Sequence, residues 1–247
     1  MLNMIKGETF RIMHKKSMYV YFGSLAAGYF LVAFIRSGGF DEHSIASDAF
    51  NFFNFLPALA GGFLFAAIYA DDLNAKTLTT LVGFGIGKAK IVLVKLILTA
   101  MFGAAAFALA PLLLYAAHAA LGWPAAASTM TTVYAVSLKY LLITLGYSTL
   151  SGIAVYGLQH PTFAMVLFIL LALNVISGLA SVLLANLAGA DLAHVFTSRM
   201  LSGITDRILS GVIGDSQLFL PITEYAAYLT ISAAASIAAF ERKEMEF

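Results

Sequence analysis

Apolar residues gather in six stretches, Met18–Ile35, Phe52–Tyr69, Ile91–Leu114, Val133–Ala154, Thr162–Leu184 and Ile222–Phe240, with the polar residues between them. A helix needs ~20 apolar residues to cross the hydrocarbon core of a bilayer. In lipid, every backbone donor and acceptor must be paired within the segment, so runs of this length are read as helices. The pattern predicts an all-α polytopic membrane protein with six transmembrane helices. Function then has to be sought in the loops, the helix ends and the few polar residues inside the spans.

The segments between the runs differ in character. Over residues 1–17, Leu2, Ile5, Thr9, Ile12 and Met13 follow helical spacing while Lys6, Arg11 and Lys15 fall elsewhere. That spacing predicts an amphipathic helix lying in the headgroup layer. Residues 36–51 form a short loop followed by Phe52, Phe53 and Phe55, read with Phe50 as an interfacial aromatic belt. Residues 70–90 form the most distinctive polar loop. There Asp72 or Asn74 is placed to cap a short helix, Leu78, Leu81 and Val82 give that helix one apolar side, and Gly83, Gly85 and Gly87 end it. Residues 119–132 are a nearly uncharged turn with Trp123 and Pro124, and residues 156–161 are a tight loop in which His160 reads as a surface residue. The 185–221 segment is longest. Leu192, Val195, Phe196, Met200, Leu201, Ile204, Ile208, Leu209, Val212 and Ile213 recur at roughly helical spacing among Asp191, Arg199, Asp206, Arg207 and Asp215. It reads as helices lying at or dipping into the interface, with Pro221 opening the last span.

Composition agrees with the spans. Of 247 residues 61% are apolar and 11% charged, against roughly 25% charged in a soluble domain. The net charge of +1 gives no support to nucleic-acid binding. Without cysteine there is no disulfide frame, thiolate metal site or cysteine nucleophile. The first run exceeds the ~7–15 residues of a signal core and ends in Arg36-Ser37-Gly38-Gly39, so it reads as a permanent helix, and the chain as one membrane domain. Lys6, Arg11, Lys15, Lys16, Lys76, Lys88, Lys90, Lys95, Arg242 and Lys243 fall on one side, and Arg36, Arg199 and Arg207 on the other, with Lys139 between. The positive-inside rule therefore puts both termini and the 70–90 loop in the cytoplasm.

Catalytic motifs fail on inspection. Gly83-Phe84-Gly85-Ile86-Gly87-Lys88 lacks the spacing of a phosphate loop, and Ala89 stands where the Mg²⁺-binding hydroxyl belongs. Any ATP used must be bound by another subunit. The five histidines contain no H-E-x-x-H pair, and Ser151, Ser202 and Asp215 lack the glycine two residues earlier that intramembrane proteases carry. No metal or cofactor is expected in this chain. Lys139 reads as a snorkelling side chain and Glu224 as an acid favoured by a helix dipole. No buried series of acids is evident for an ion relay.

Three features of the chain resemble ABC-2 type permeases, the six-helix membrane subunits of bacterial ABC exporters. One is the basic N-terminal arm. Another is an acidic residue ending the second span, then Thr77-Leu78-Thr79-Thr80-Leu81, a glycine-containing turn and the basic run Lys88-Ala89-Lys90-Ile91-Val92-Leu93-Val94-Lys95. The third is the long segment between the fifth and sixth spans with the charged tail Phe240-Glu241-Arg242-Lys243-Glu244. Lys76 stands where many members have glycine. The resemblance implies a permease in the bacterial cell membrane that pairs with a second permease, as homodimer or heterodimer, above two ATPase subunits that hold ATP and Mg²⁺. It implies a coupling helix around Asn74–Val82 seated on the ATPase, with Asp71, Asp72, Asn74, Lys76, Thr77, Leu78, Leu81 and Val82 as coupling residues. It also implies that the 185–221 segment covers the exit. Cargoes of such exporters include antimicrobial peptides, lantibiotics, hydrophobic drugs, lipids and glycans, and the nearly chargeless spans favour a hydrophobic or amphipathic one.

The alternative is a stand-alone membrane protein, either a secondary carrier, which should show inverted repeats and broken helices at mid-membrane, or a membrane enzyme. A membrane scaffold is a third reading, but Gly83-x-x-x-Gly87 lies in a loop and not in a span.

Overall fold

A computed structural model describes residues 1–16, 18–19, 23, 26–27, 51–74, 77–120, 122, 127–214 and 217–243. The described residues are almost entirely helical and contain no strand. In chain order the helices are α1 (Leu2–Met13), α2 (Asn51–Leu73), α3 (Thr77–Gly83), α4 (Lys88–Ala120), α5 (Ala127–Leu158), α6 (Pro161–Ala172), α7 (Val175–Ala188), α8 (Ala190–Arg199), α9 (Leu201–Gly214) and α10 (Phe219–Arg242). Three of them, α2, α4 and α5, are long and apolar enough to cross a membrane. A fourth crossing follows if α6 and α7 together make one span.

The first predicted span lies outside the described residues except for Met18, Tyr19, Gly23, Ala26 and Ala27, as does the loop after it. The fifth, expected as one helix, is two helices bent by 61°. The break falls at Asn174, whose φ of 56° is left-handed, a conformation that stops a helix and that asparagine tolerates better than most residues. Its side chain is held by the Tyr147 hydroxyl at 3.3 Å and by Ser177 at 3.4 Å. The sixth predicted span lies within α10, whose 24 residues are interrupted by Glu224, Tyr225, Tyr228, Ser232 and Ser236.

Helix α5 is the central post, packed against α2, α4, α6, α9 and α10. Small residues let α10 lie close on it. A Cβ on Gly152 would sit 3.1 Å from Ser236 Oγ, and one on Gly157 would sit 3.6 Å from Ala239 Cβ. Close approach of this kind favours helix association where no water is present to drive it. Ser236 Oγ donates to the Thr149 carbonyl at 3.3 Å and Tyr225 donates to the Leu142 carbonyl at 2.9 Å. Helix α4 carries Pro111 in its interior. Proline has no N–H for the carbonyl four residues earlier, and that carbonyl, on Phe107, accepts from Ser137 of α5 instead.

Candidate functional site

Charge concentrates at the end of the bundle where α1 meets the 70–90 loop. Helix α1 packs on α4 through a face holding Glu8 and Ile12, both buried, flanked by half-buried Met4, Ile5 and Thr9. Its opposite face leaves Leu2, Phe10 and Met13 exposed, with Phe10 stacked on His14 at 3.9 Å. The apolar positions expected on one face are therefore divided between two surfaces. Ile5 and Ile12 turn to the protein, and Leu2 and Met13 turn outward.

Glu8 sits at the edge of a buried ionic network. Lys95 of α4 and Asp72 at the end of α2 pair with side chains each 1% exposed. Lys95 Nζ also reaches Glu8 Oε2 at 2.9 Å. Arg11 bridges Asp72 Oδ1 at 2.6 Å and Glu8 Oε2 at 2.7 Å, and Lys15 pairs with Asp71. Two cations and two anions balance in the inner set, and two further charges balance at its rim. Burial would raise the Glu8 carboxyl, but Lys95 and Arg11 outweigh it and hold the group below its ordinary 4.5. The Arg11 guanidinium is pushed the other way, above its ordinary value: burial lowers it, and Asp72 and Glu8 more than reverse that. Deeper in, Tyr69 and Thr99 hydroxyls meet at 3.2 Å, and Thr99 bonds back to the Lys95 carbonyl at 2.9 Å. The network joins the arm, the end of α2 and the start of α4 into one unit.

The loop hangs from this unit. Helix α3 ends in a Schellman motif, with Ile86 N–H on the Leu81 carbonyl at 3.1 Å and Gly85 N–H on the Val82 carbonyl at 2.9 Å. Gly85 takes φ +77°, the left-handed position this motif needs and glycine supplies without strain. Leu78 is buried, Leu81 and Val82 are half-buried against the core, and Thr77 is half-buried. Phe84, between two glycines at the tip, is 80% exposed. Lys88, in the first turn of α4, donates to the Lys243 carbonyl at 2.7 Å and lies 5.4 Å over the Phe240 ring, which ties the end of α10 to this face.

Of the eight residues singled out from sequence, Asp71 and Asp72 enter the ionic network, and Leu78, Leu81 and Val82 hold the loop to the bundle. Thr77 opens α3, Asn74 directly follows α2, and Lys76 lies outside the described residues. Asp72 is engaged by Arg11 and Lys95 and not placed as a helix cap. Glu8, Arg11, Lys15, Lys95 and Phe84 were not singled out. The available signal was Lys95 itself, set inside Ile-Val-Leu-Val-Lys-Leu-Ile-Leu, where a charge with no near neighbour in sequence needs one in space.

A second ionic cluster lies at the far end of the bundle. Lys139 pairs with Asp206 at 2.5 Å and lies 5.0 Å over the Tyr140 ring. Glu224 takes both Arg199 and Arg207. Lys139, read as a snorkelling side chain, and Glu224, read as an acid favoured by a helix dipole, thus each have ionic partners on other helices. His160 caps α6, its Nδ1 accepting from the Phe163 amide at 3.3 Å.

No cluster of metal-ligating side chains occurs among the described residues. Comparison with known protein families, curated proteins and solved structures returns no match to this chain.

Proposed function

We propose that this chain is the membrane subunit of an ATP-driven exporter of the ABC-2 type, with six spans and both termini in the cytoplasm. It would provide the path for a hydrophobic or amphipathic cargo, pair with a second permease, and rest on two ATPase subunits that bind ATP and Mg²⁺. The observation that carries the reading is the union of arm, α2 and α4 through Glu8, Arg11, Asp72 and Lys95. A push on the loop from below would reach two spans and the arm at once. ATP-driven closure of a partner could then bias the spans between two arrangements, which differential contact with each state requires.

The contact surface on this reading is Phe84 and the glycine turn, with Leu78 and Leu81 as the supports behind it. Phe84→Asp should abolish cargo export while the protein still inserts and remains monodisperse. Purification of the intact chain from its host membrane should bring down a nucleotide-binding subunit in about equal amount, which Phe84→Asp releases. Full export by Phe84→Asp would overturn the coupling role.

A secondary carrier is the competing reading, and one observation favours it. The break at Asn174 lies roughly 20 Å along the α6 direction from Pro161, at 1.5 Å per residue, a depth that would fall within a ~30 Å hydrocarbon core entered at Pro161. Broken helices at that depth are a hallmark of carrier sites. Proteoliposomes containing this chain alone separate the two: ion-gradient uptake without ATPase would establish the carrier.

A further inference from the structure

Glu224, in the second turn of α10, receives Arg199 from the end of α8 and Arg207 from α9. One carboxylate cannot neutralise two guanidiniums. The neighbouring Lys139–Asp206 pair is balanced, so these five charges, counted among the described residues, sum to one positive charge. Arg207 gives a second bond to the Ser198 carbonyl at 3.2 Å, yet its Nε is buried without an acceptor among the described residues. Arg199 is 65% exposed in its side chain and meets Glu224 through Nη1.

The level of the cluster matters. Glu224 lies about 27 Å along α10 from Arg242 at 1.5 Å per residue, and Arg242 is beside the start of α4. That distance is close to the ~30 Å of a hydrocarbon core; on the proposed reading, with α10 as the sixth span, the two arginines would stand at the phosphate level of the opposite leaflet. Around them α8 exposes Leu192 and Val195, and α9 exposes Val212 and Ile213.

We infer that Arg199 and Arg207 form an oxyanion subsite for a phosphate group, with Glu224 as its resident occupant. Guanidinium groups take phosphate through paired, charge-assisted hydrogen bonds. An incoming phosphate engages the free edge of Arg199 and competes with Glu224 for it. The same chemistry is offered by an anionic phospholipid headgroup and by a phosphate free in solution. The inference does not depend on an ATPase partner.

The test uses the intact chain in nanodiscs of zwitterionic phosphatidylcholine, titrated with inorganic phosphate at constant ionic strength and followed by thermal unfolding. A parallel series replaces phosphate with increasing phosphatidylglycerol in the disc. Arg199→Gln should weaken the response roughly tenfold, the loss expected for a charge-assisted bond. Glu224→Gln should strengthen it, because the competitor is gone. A purely structural role for the cluster predicts the opposite sign for Glu224→Gln, and that result, or no change, overturns the subsite. Should Glu224→Gln fail to fold, Arg199→Lys decides instead. It keeps the charge but not the planar fork, and an affinity equal to wild type overturns the proposal. Stabilisation by phosphatidylglycerol that removes the response to inorganic phosphate assigns the site to lipid. An undiminished phosphate response assigns it to a soluble group. No response in either series overturns it.

Discussion

Asp72 and Lys95 form an ion pair in which each side chain is 1% exposed, one at the end of α2 and the other two turns into α4. Taking two charges out of water is expensive, and the pair is tolerated because Glu8 and Arg11 satisfy what remains of each. Removing one partner of a buried pair leaves an uncompensated charge, which costs about 3–5 kcal/mol. Lys95→Met should therefore lower the thermal midpoint in detergent sharply. Lys95→Met with Asp72→Leu leaves Glu8 and Arg11 to each other and should recover most of the loss. A double variant as unstable as the single one would show that the pair is not the unit.

The Glu8 carboxyl titrates below its ordinary 4.5 because Lys95 and Arg11 overcome the effect of burial. A depressed folded pKa gives stability that is complete above the unfolded value and is lost as pH falls through the folded one. The arm should stay docked at neutral pH and detach only in acid, once the pH has fallen below the ordinary glutamate value of 4.5. The chain has no cysteine, so a spin label at Phe10→Cys, an exposed position, reports arm mobility alone. Glu8→Gln should make that label mobile already at pH 7, with a flat profile below it.

Gly85 holds the loop tip at φ +77°, where a Cβ costs roughly 1–2 kcal/mol. No neighbour lies within 4 Å of a Cβ there, so the penalty of Gly85→Ala is conformational and not steric. Hydrogen exchange of Leu81 to Ile86 should quicken in Gly85→Ala and be restored by Gly85→Asn, which visits the left-handed region more readily. Equal exchange in all three would mean that the Schellman turn does not hold the tip.

How much of this was legible depends on where each signal lives. The long apolar runs and the glycine-terminated α3 are local properties; the structure shows α3 and, of the runs, α2, α4 and α5 as helices long and apolar enough to cross a membrane. The bend at Asn174 is not, because Leu-Ala-Leu-Asn-Val-Ile reads as uninterrupted span, and only Tyr147 from α5 and Ser177 make a left-handed asparagine comfortable there. Lys95 counts with Lys88 and Lys90 among the basic residues that set the topology, since periodicity cannot tell a lysine at the membrane surface from one met by Asp72, 23 positions earlier. Leu78 and Leu81 read as one apolar side of a short helix, but which surface that side meets is not written in the loop; here the bundle covers it. In each case the decisive partner is remote in sequence.

The Phe107 carbonyl offers the sharpest test of such a remote partnership. Pro111 removes its helical donor, and Ser137 supplies a hydroxyl from α5. In a low-dielectric interior an unsatisfied carbonyl costs about 1–3 kcal/mol, although hydrogen bonds measured between spanning helices average nearer 0.6 kcal/mol. Ser137→Ala should therefore lower the unfolding free energy by an amount within or just below that range. Pro111→Ala restores an N–H four residues after Phe107, so the carbonyl regains its own helical partner. In that background Ser137→Ala should cost little. The coupling between the two substitutions, read from a double-mutant cycle on thermal or denaturant unfolding, should be of the same size as the loss in Ser137→Ala alone. Additive effects would mean that Ser137 acts through packing and that the proline leaves no debt for α5 to settle.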